Sequence, residues 1–313
     1  MTTPAVSVRS LRKAYGSTLA VRDVSFDIDA GEIVGILGPN GSGKTTTVEC
    51  LQGLRRADAG QVDVLGLDPR TQLSALRRRV GSQLQDSALP ARIRVEEAVR
   101  LFASVGAGDC DIPVLLRDWG LAHRRRAAFG SLSGGERQRL FVALALVNGP
   151  ELVFFDEMTT GLDPAARREV WGLVERVRDL GTTVVLVTHF MDEAERLCDR
   201  LVVLRDGLVV ATGTPAELVA AHGGGVTAVF SSVVVDDRTL AELPGVRAVH
   251  RRGATVEVTG EARFVLHLGH LLVSESAVPD DLRIRQPSLE DAFFRLVDAG
   301  EKSPPRPQDE GSP

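Results

Sequence analysis

The chain has 313 residues, 43% of them apolar and 25% charged, with a formal net charge of −5. That balance suits an ordinary globular protein of one large and one smaller domain, and it excludes a basic chain drawn bodily to nucleic acid or anionic lipid. No apolar run approaches the ~18 residues that cross a bilayer, so a membrane role requires a partner. The start shows no charged-apolar-small signal pattern. Cys50, Cys110 and Cys198 are far apart and odd in number. They suggest neither a disulfide framework nor a zinc site, and a reducing cytoplasm is the expected setting.

Val6 to Leu11 alternates and reads as a strand, ended by a turn over Arg12 to Gly16; Val21 to Ile28 alternates again before the turn Ala30-Gly31-Glu32. Tyr15 is the single tyrosine. It reads either as a half-buried strand-end aromatic or as a ring placed to stack on adenine. Ile33 to Leu37 is a short apolar strand running into Gly38-Pro39-Asn40-Gly41-Ser42-Gly43-Lys44-Thr45-Thr46, and then into Thr47 to Leu51. Strand, glycine loop and helix fit G-x-x-x-x-G-K-[ST]. Glycines without β-carbons let backbone N–H groups wrap a polyphosphate, and the helix that follows points its partly positive end at the same anion. Lys44 can reach the terminal phosphates and the Thr45 hydroxyl can ligate magnesium. The bland alternative, a chance glycine loop, loses ground with each later motif.

Gln61 to Leu65 reads as a strand. Arg77 to Arg79 reads as a solvated helix face, and Val80 to Asp86 follows. Gln85, at a strand end, can offer its carbonyl to magnesium or to an attacking water; Gln83 competes, and spacing does not separate them. Val95 to Val105 has helical periodicity, with Val95, Ala98, Val99 and Phe102 on one face. Ile112 to Gly120 reads as a further helix, and Arg124 to Arg126 as another solvated run. In Leu132-Ser133-Gly134-Gly135-Glu136, Ser133 can cap a helix reaching Leu146. An ordinary serine cap does not need two glycines after it, so a second anion-binding helix terminus is preferred.

Glu151 to Glu157 is a buried-strand pattern ending in two acids. A buried parallel strand opens its carboxyl end on the ligand crevice. That places Asp156 to bind magnesium and Glu157 to polarise a water attacking a γ-phosphate. Asp163 and Pro164 start a helix that runs to about Leu180. Thr183 to Thr188 is another core strand with His189 at its end, where a γ-phosphate contact is preferred to a purely structural histidine. Asp206-Gly207 marks a hairpin, and Thr214 to Glu217 a capping box before a short helix. The run 222–225 reads as a linker and domain boundary. Beyond it, Val226 to Val235 and Ala254 to Thr259 look strand-like, Ala262 to Val273 helical, and Ser288 to Asp291 a capping box for a helix reaching about Val297. His267 and His270 lie three apart on that first helix without an evident third metal ligand. Residues 301–313 are polar and proline-rich, a composition that suits disorder.

In order, this set resembles the ATP-binding subunit of ABC transporters. Gly38 to Thr46 is similar to Walker A, Leu152 to Asp156 to Walker B, and Leu132 to Glu136 to the family signature L-S-G-G-[QE]. Gly161-Leu162-Asp163 resembles the D-loop, Gln85 the Q-loop glutamine, His189 the switch histidine, and Tyr15 the adenine-stacking position. Met158 departs from the proline usual after the catalytic glutamate. The segment Pro287 to Leu296 resembles the tail domain of ATPases that power drug, antibiotic and glycolipid exporters.

The resemblance implies an α/β P-loop NTPase fold: a RecA-like core with an antiparallel β subdomain and a helical signature lobe at about 86–149. Together these form an ATP-binding domain over 1–222, followed by a small α+β domain over 226–298. It implies ATP and Mg2+ as cofactors, with Thr45, Gln85 and Asp156 toward the metal, and Glu157, His189 and Gln85 as the catalytic set. Implied partners are a separately encoded permease on the membrane's inner face and a second copy packed head to tail, which presents its signature to the first copy's ATP. No nucleic-acid partner is expected. A soluble relative acting on ribosomes or DNA is the alternative. Those relatives carry two such domains or long coiled coils, and neither pattern is present here. An importer ATPase is the other alternative, opposed by the tail domain.

Overall fold

The computed structural model describes residues 3–83, 88–105, 110–232 and 234–298. The chain divides into two compact units, Met1–Pro215 and Ala216–Pro313.

In the first unit, β1 (Val6–Tyr15), β2 (Thr18–Ile28) and β3 (Ile33–Leu37) lead to α1 (Lys44–Leu51) and β4 (Ala59–Val64). Then come α2 (Leu73–Leu76), β5 (Val80–Gln83), α3 (Val95–Ala103), α4 (Ile112–Asp118) and α5 (Gly134–Leu146). The unit closes with β6 (Leu152–Asp156), α6 (Pro164–Asp179), β7 (Thr183–Val187), α7 (Met191–Leu197), β8 (Arg200–Arg205) and β9 (Leu208–Gly213). Among the described residues these strands form one nine-stranded sheet, in the order β4-β1-β2-β9-β8-β3-β7-β6-β5. Its β4-β1-β2 end is antiparallel, and β8, β3, β7, β6 and β5 run parallel. The sheet is mixed, as the sequence suggests.

Every residue of β3, β6 and β7 is buried. Strands covered on both faces cannot alternate, which is why these three read as unbroken apolar runs. Phe154 and Phe155 are wholly enclosed, each worth about 1.5–3 kcal/mol of burial. β1 continues to Tyr15, past the turn expected from Arg12. It does so through register shifts after Val8 and Leu11, and the turn comes at Gly16. The Asp206-Gly207 hairpin has both residues left-handed, φ 51° and 74°, the two-residue turn that suits the strand twist.

A separate apolar cluster holds α3, α4 and α5 together around Val95, Ala98, Val99, Leu116, Leu140 and Leu144. Phe102 is 38% exposed and stays outside that buried set. The arginine runs are not simply solvated. Arg79 forms a bidentate pair with Glu151 at 2.5 and 2.8 Å and donates to the Leu65 carbonyl. Arg125 grips Glu96 at 2.6 and 2.8 Å, and Arg124 pairs with Glu136.

The second unit contains α8 (Pro215–His222), β10 (Val226–Ser231), α9 (Asp237–Ala241), β11 (Val246–Arg252), β12 (Thr255–Gly260), α10 (Phe264–Ser274), β13 (Arg283–Arg285) and α11 (Leu289–Asp298). Its sheet is antiparallel, ordered β11-β12-β10-β13, and α10 supplies Phe264, Leu268 and Leu272 to its core. The division between units falls at the start of α8, earlier than the glycine run 223–225. That run is packed: a β-carbon on Gly224 would strike the Arg295 guanidinium, and one on Gly225 the Gly260 carbonyl. β10 stops at Ser231, short of Val235, because Ser232 Oγ accepts from the Val234 and Val235 N–H groups at 3.3 Å and turns the chain. Ser288 and Asp291 cap α11 reciprocally, as the sequence suggests. Residues 301–313 lie outside the described residues.

Candidate functional site

β3 pairs with β7, and β7 with β6, all parallel, with Ile36 and Asp156 both level with Val187. Their carboxyl ends therefore open on one edge. From that edge leave the loop 38–46, the Asp156-Glu157 pair, and Thr188-His189. Open parallel sheets bind ligands at this edge.

The glycine loop is tightly drawn. Lys44, 8% exposed, sends Nζ back across it to donate to the Gly38 and Pro39 carbonyls at 2.8 and 3.0 Å. Gly43 caps α1 at φ 96°, where a β-carbon would lie 2.5 Å from the Ala20 carbonyl oxygen; only glycine fits there. No side chain caps α1 and no acid lies in its first turn, which suits an anion at the helix's partly positive end. Ser42 Oγ is buried with no hydrogen-bond partner, a polar atom inside the loop that a phosphate oxygen would satisfy. Pro39 and Thr46 are half-buried, and Asn40, Gly41 and Thr45 exposed. The residues present thus fit a polyphosphate.

Asp156 ends β6 at 5% exposure. Glu157 then turns left-handed, φ 48°, while its N–H donates to the Val187 carbonyl at 2.9 Å. Its Oε1 stands 3.4 Å from His189 Nδ1. Burial depresses the pKa of the Lys44 ammonium, and the charges of Glu157 and Asp156 act against that shift. Lysine and both acids are therefore within electrostatic reach of one another. An exposed hydroxyl on Thr45 and the Asp156 carboxylate supply the oxygen donors a hard cation prefers. Met158 does not open the turn: its side chain is buried and the Thr160 N–H still reaches the Glu157 carbonyl at 3.2 Å.

Ser133 caps α5 by accepting from the Glu136 N–H at 3.2 Å, while Glu136 Oε2 accepts from the Ser133 N–H at 2.8 Å. That N–H is the main cause holding the Glu136 carboxyl below its ordinary range, with Arg124 assisting. Leu132 is buried in the helical cluster. β-Carbons on Gly134 and Gly135 would lie 3.4 Å from Leu162 Cδ2 and 3.8 Å from the Ala166 β-carbon. The signature turn thus lies beside the Gly161–Asp163 segment of its own chain. Asp163 caps α6, accepting from Ala165 and Ala166 N–H groups at 2.9 and 3.0 Å. Tyr15 is 42% exposed rather than half-buried, with Lys13 Nζ 5.5 Å from its ring centroid. Gln85 lies outside the described residues. Gln83 ends β5 at 6% exposure, and its Oε1 is buried without a partner. His267 and His270 are exposed, and no cluster of potential metal ligands occurs among the described residues.

A family model described as ABC transporter matches residues 21–160. The chain is 37% identical over 318 residues to the Nod factor export ATP-binding protein I of Rhizobium sp. (strain N33), across 95% of this chain and 98% of that protein. The chain belongs to the ABC transporter ATP-binding subunits. This subunit is likewise 37% identical over 308 residues to the protein of the same name from Burkholderia orbicola (strain AU 1054), at the same coverages. A solved ATP binding subunit of an ABC transporter matches it at TM-score 0.63 and 30% identity, over 71% of this chain and 94% of that one. So does cbiO1 from Clostridium perfringens, part of the ABC transporter complex cbiONQ, at TM-score 0.63 and 28% identity, over 69% and 91%. The subunit binds and hydrolyses ATP, coupled to transport with membrane permease components.

Sequence reasoning did not single out Trp171 of α6 and Glu193 of α7, which meet through a Trp171 Nε1 to Glu193 Oε1 hydrogen bond of 3.0 Å. Glu193 had no signal of its own, because Asp192, Glu193 and Glu195 look alike in one short polar run.

Proposed function

We propose that this subunit powers an exporter of a drug, antibiotic or lipid-like compound. The observation that carries the ATPase site is the convergence of Lys44, Asp156, Glu157 and His189 on one edge of three adjacent parallel strands. In this reading Gly38 to Thr46 wrap the phosphates and Tyr15 stacks on the adenine. Thr45, Asp156 and Gln85 would hold Mg2+, which when bound neutralises charge between the β- and γ-phosphates. Glu157 takes the proton of the attacking water, and His189 contacts both Glu157 and the γ-phosphate. Leu132 to Glu136 of a second copy close over that phosphate in a head-to-tail dimer, with Asp163 at the same seam. Hydrolysis then reopens the dimer.

Export is supported by relatives named for export that align over 95% of the chain, so that the second unit is included. Among the described residues no helix is long and apolar enough to cross a membrane. Attachment to the inner face of the cell membrane through a separate permease follows from the reading. Lys44→Ala tests it. Hydrogen bonds to charged groups are worth about 1.5–3 kcal/mol each, so losing the cation should weaken ATP binding by ~10-fold to over 100-fold. Unchanged affinity in a direct binding measurement would reject the phosphate loop.

A further inference from the structure

We propose that Glu193 is a positioning residue for ATP hydrolysis, tying together the two loops that bring Glu157 and His189 into contact. The inference rests on the assignment of Glu157 and His189 above. Glu193 lies on α7 and is fully buried. Its Oε1 accepts from Trp171 Nε1 of α6 at 3.0 Å, whereas Oε2 is buried without a partner of hydrogen-bonding geometry. Burial pushes this carboxyl up in pKa, opposed by the Thr188, Thr159 and Trp171 groups around it and by the charge of Arg167. The Thr159 hydroxyl is likewise buried without a partner of that geometry.

The neighbours give the position its meaning. Thr159 belongs to the turn opened by Glu157, and Thr188 immediately precedes His189. Thr188 Oγ accepts from the Phe190 N–H at 3.0 Å and so shapes the turn that carries His189. The Phe190 ring centroid is 4.1 Å from that of His189, and the Arg167 guanidinium stacks on Phe190 at 3.9 Å. Arg167 also pairs with Asp192 at 3.4 Å. Glu193 thus bonds to α6 and has a threonine from each loop beside it, while Arg167 and Phe190 brace the imidazole from the side. An apolar residue would pack this α7 position at less desolvation cost. The polar choice makes the alignment of the two loops depend on one side chain.

The test uses the full chain with ATP turnover and ATP binding measured separately. Glu193→Ala should lower kcat by about 10- to 100-fold, the scale of a small misplacement of reacting groups, with ATP affinity within about threefold. Glu193→Gln, a neutral isostere, should restore most of the lost turnover. In a His189→Ala background, Glu193→Ala should cost less than about threefold more, because both act through one contact. Wild-type kcat in Glu193→Ala, or losses that multiply, would overturn the proposal. If Glu193→Ala does not fold, Trp171→Phe, which removes the donor to Oε1, enters the same cycle under the same criteria. Wild-type turnover in both Glu157→Gln and His189→Ala would instead reject the catalytic assignment on which the inference stands.

Discussion

The left-handed backbone at Glu157 allows catalysis and stability to be separated at one position. A non-glycine residue at φ 48° costs ~1–2 kcal/mol. Glycine would relieve that strain but adds ~0.5–1 kcal/mol of unfolded-chain entropy. The balance is a net gain of about 0.5–1 kcal/mol for Glu157→Gly, a Tm rise of ~1–4 °C in a domain of this size. Glu157→Gln keeps the strained backbone, so its Tm should stay near wild type. Both variants lose the group that takes the water's proton, a loss of about 10²–10⁴-fold in turnover, while ATP still binds. The assays are phosphate release at saturating ATP and melting of the nucleotide-free protein. Wild-type turnover in Glu157→Gln would refute the catalytic role; a fall in stability beyond ~1 kcal/mol in Glu157→Gly would refute the strain argument.

Gly43→Ala should lower both stability and ATP affinity, since its β-carbon meets the Ala20 carbonyl at 2.5 Å in a left-handed backbone; an unshifted Tm with normal ATP binding would contradict the loop geometry. Ser133→Arg should bind ATP as a monomer yet block dimer closure, and mixing it with Lys44→Ala should restore part of the activity by leaving one composite site intact. Full ATPase activity of Ser133→Arg alone would contradict sharing of the site between copies. Arg125 first and Arg100 second hold Glu96 down to a pKa of about 2. Its contribution to stability is therefore present above the unfolded value of ~4.3 and lost as pH falls toward 2. Glu96→Gln should flatten denaturation midpoints between pH 4.5 and 3 in about that window, and an unaltered slope there would remove Glu96 from the acid response.

The nucleotide edge was legible because its strands are buried on both faces and end in residues with few structural uses. Ile33–Leu37, Leu152–Asp156 and Thr183–Val187 carry that signal as unbroken apolar runs. The second unit was less legible. β11, V-R-A-V-H-R-R, has no fully buried residue, so it shows no apolar face to alternate. The arginine runs misled for a related reason: a charge reads as solvated until its partner is known, and Arg79 finds Glu151 from 72 positions away. Long-range pairing of that kind leaves no local trace in the sequence.

Adjacent acids carry the least legible feature of the site. Successive residues of a strand point to opposite faces of its sheet. Had β6 continued through Glu157, Asp156 and Glu157 would have been sent to opposite sides. The left-handed break at Glu157 ends the pleat, and both carboxylates come to act on the same Lys44 ammonium. The Val187 carbonyl holds that break by accepting the Glu157 N–H, and Val187 is also the last residue of the strand that delivers His189. One main-chain hydrogen bond therefore links the strained turn bearing Glu157 to the strand end bearing its histidine partner. In the sequence this appears only as Asp-Glu in one place and Val-Thr-His in another; pairing between β6 and β7 makes them one device.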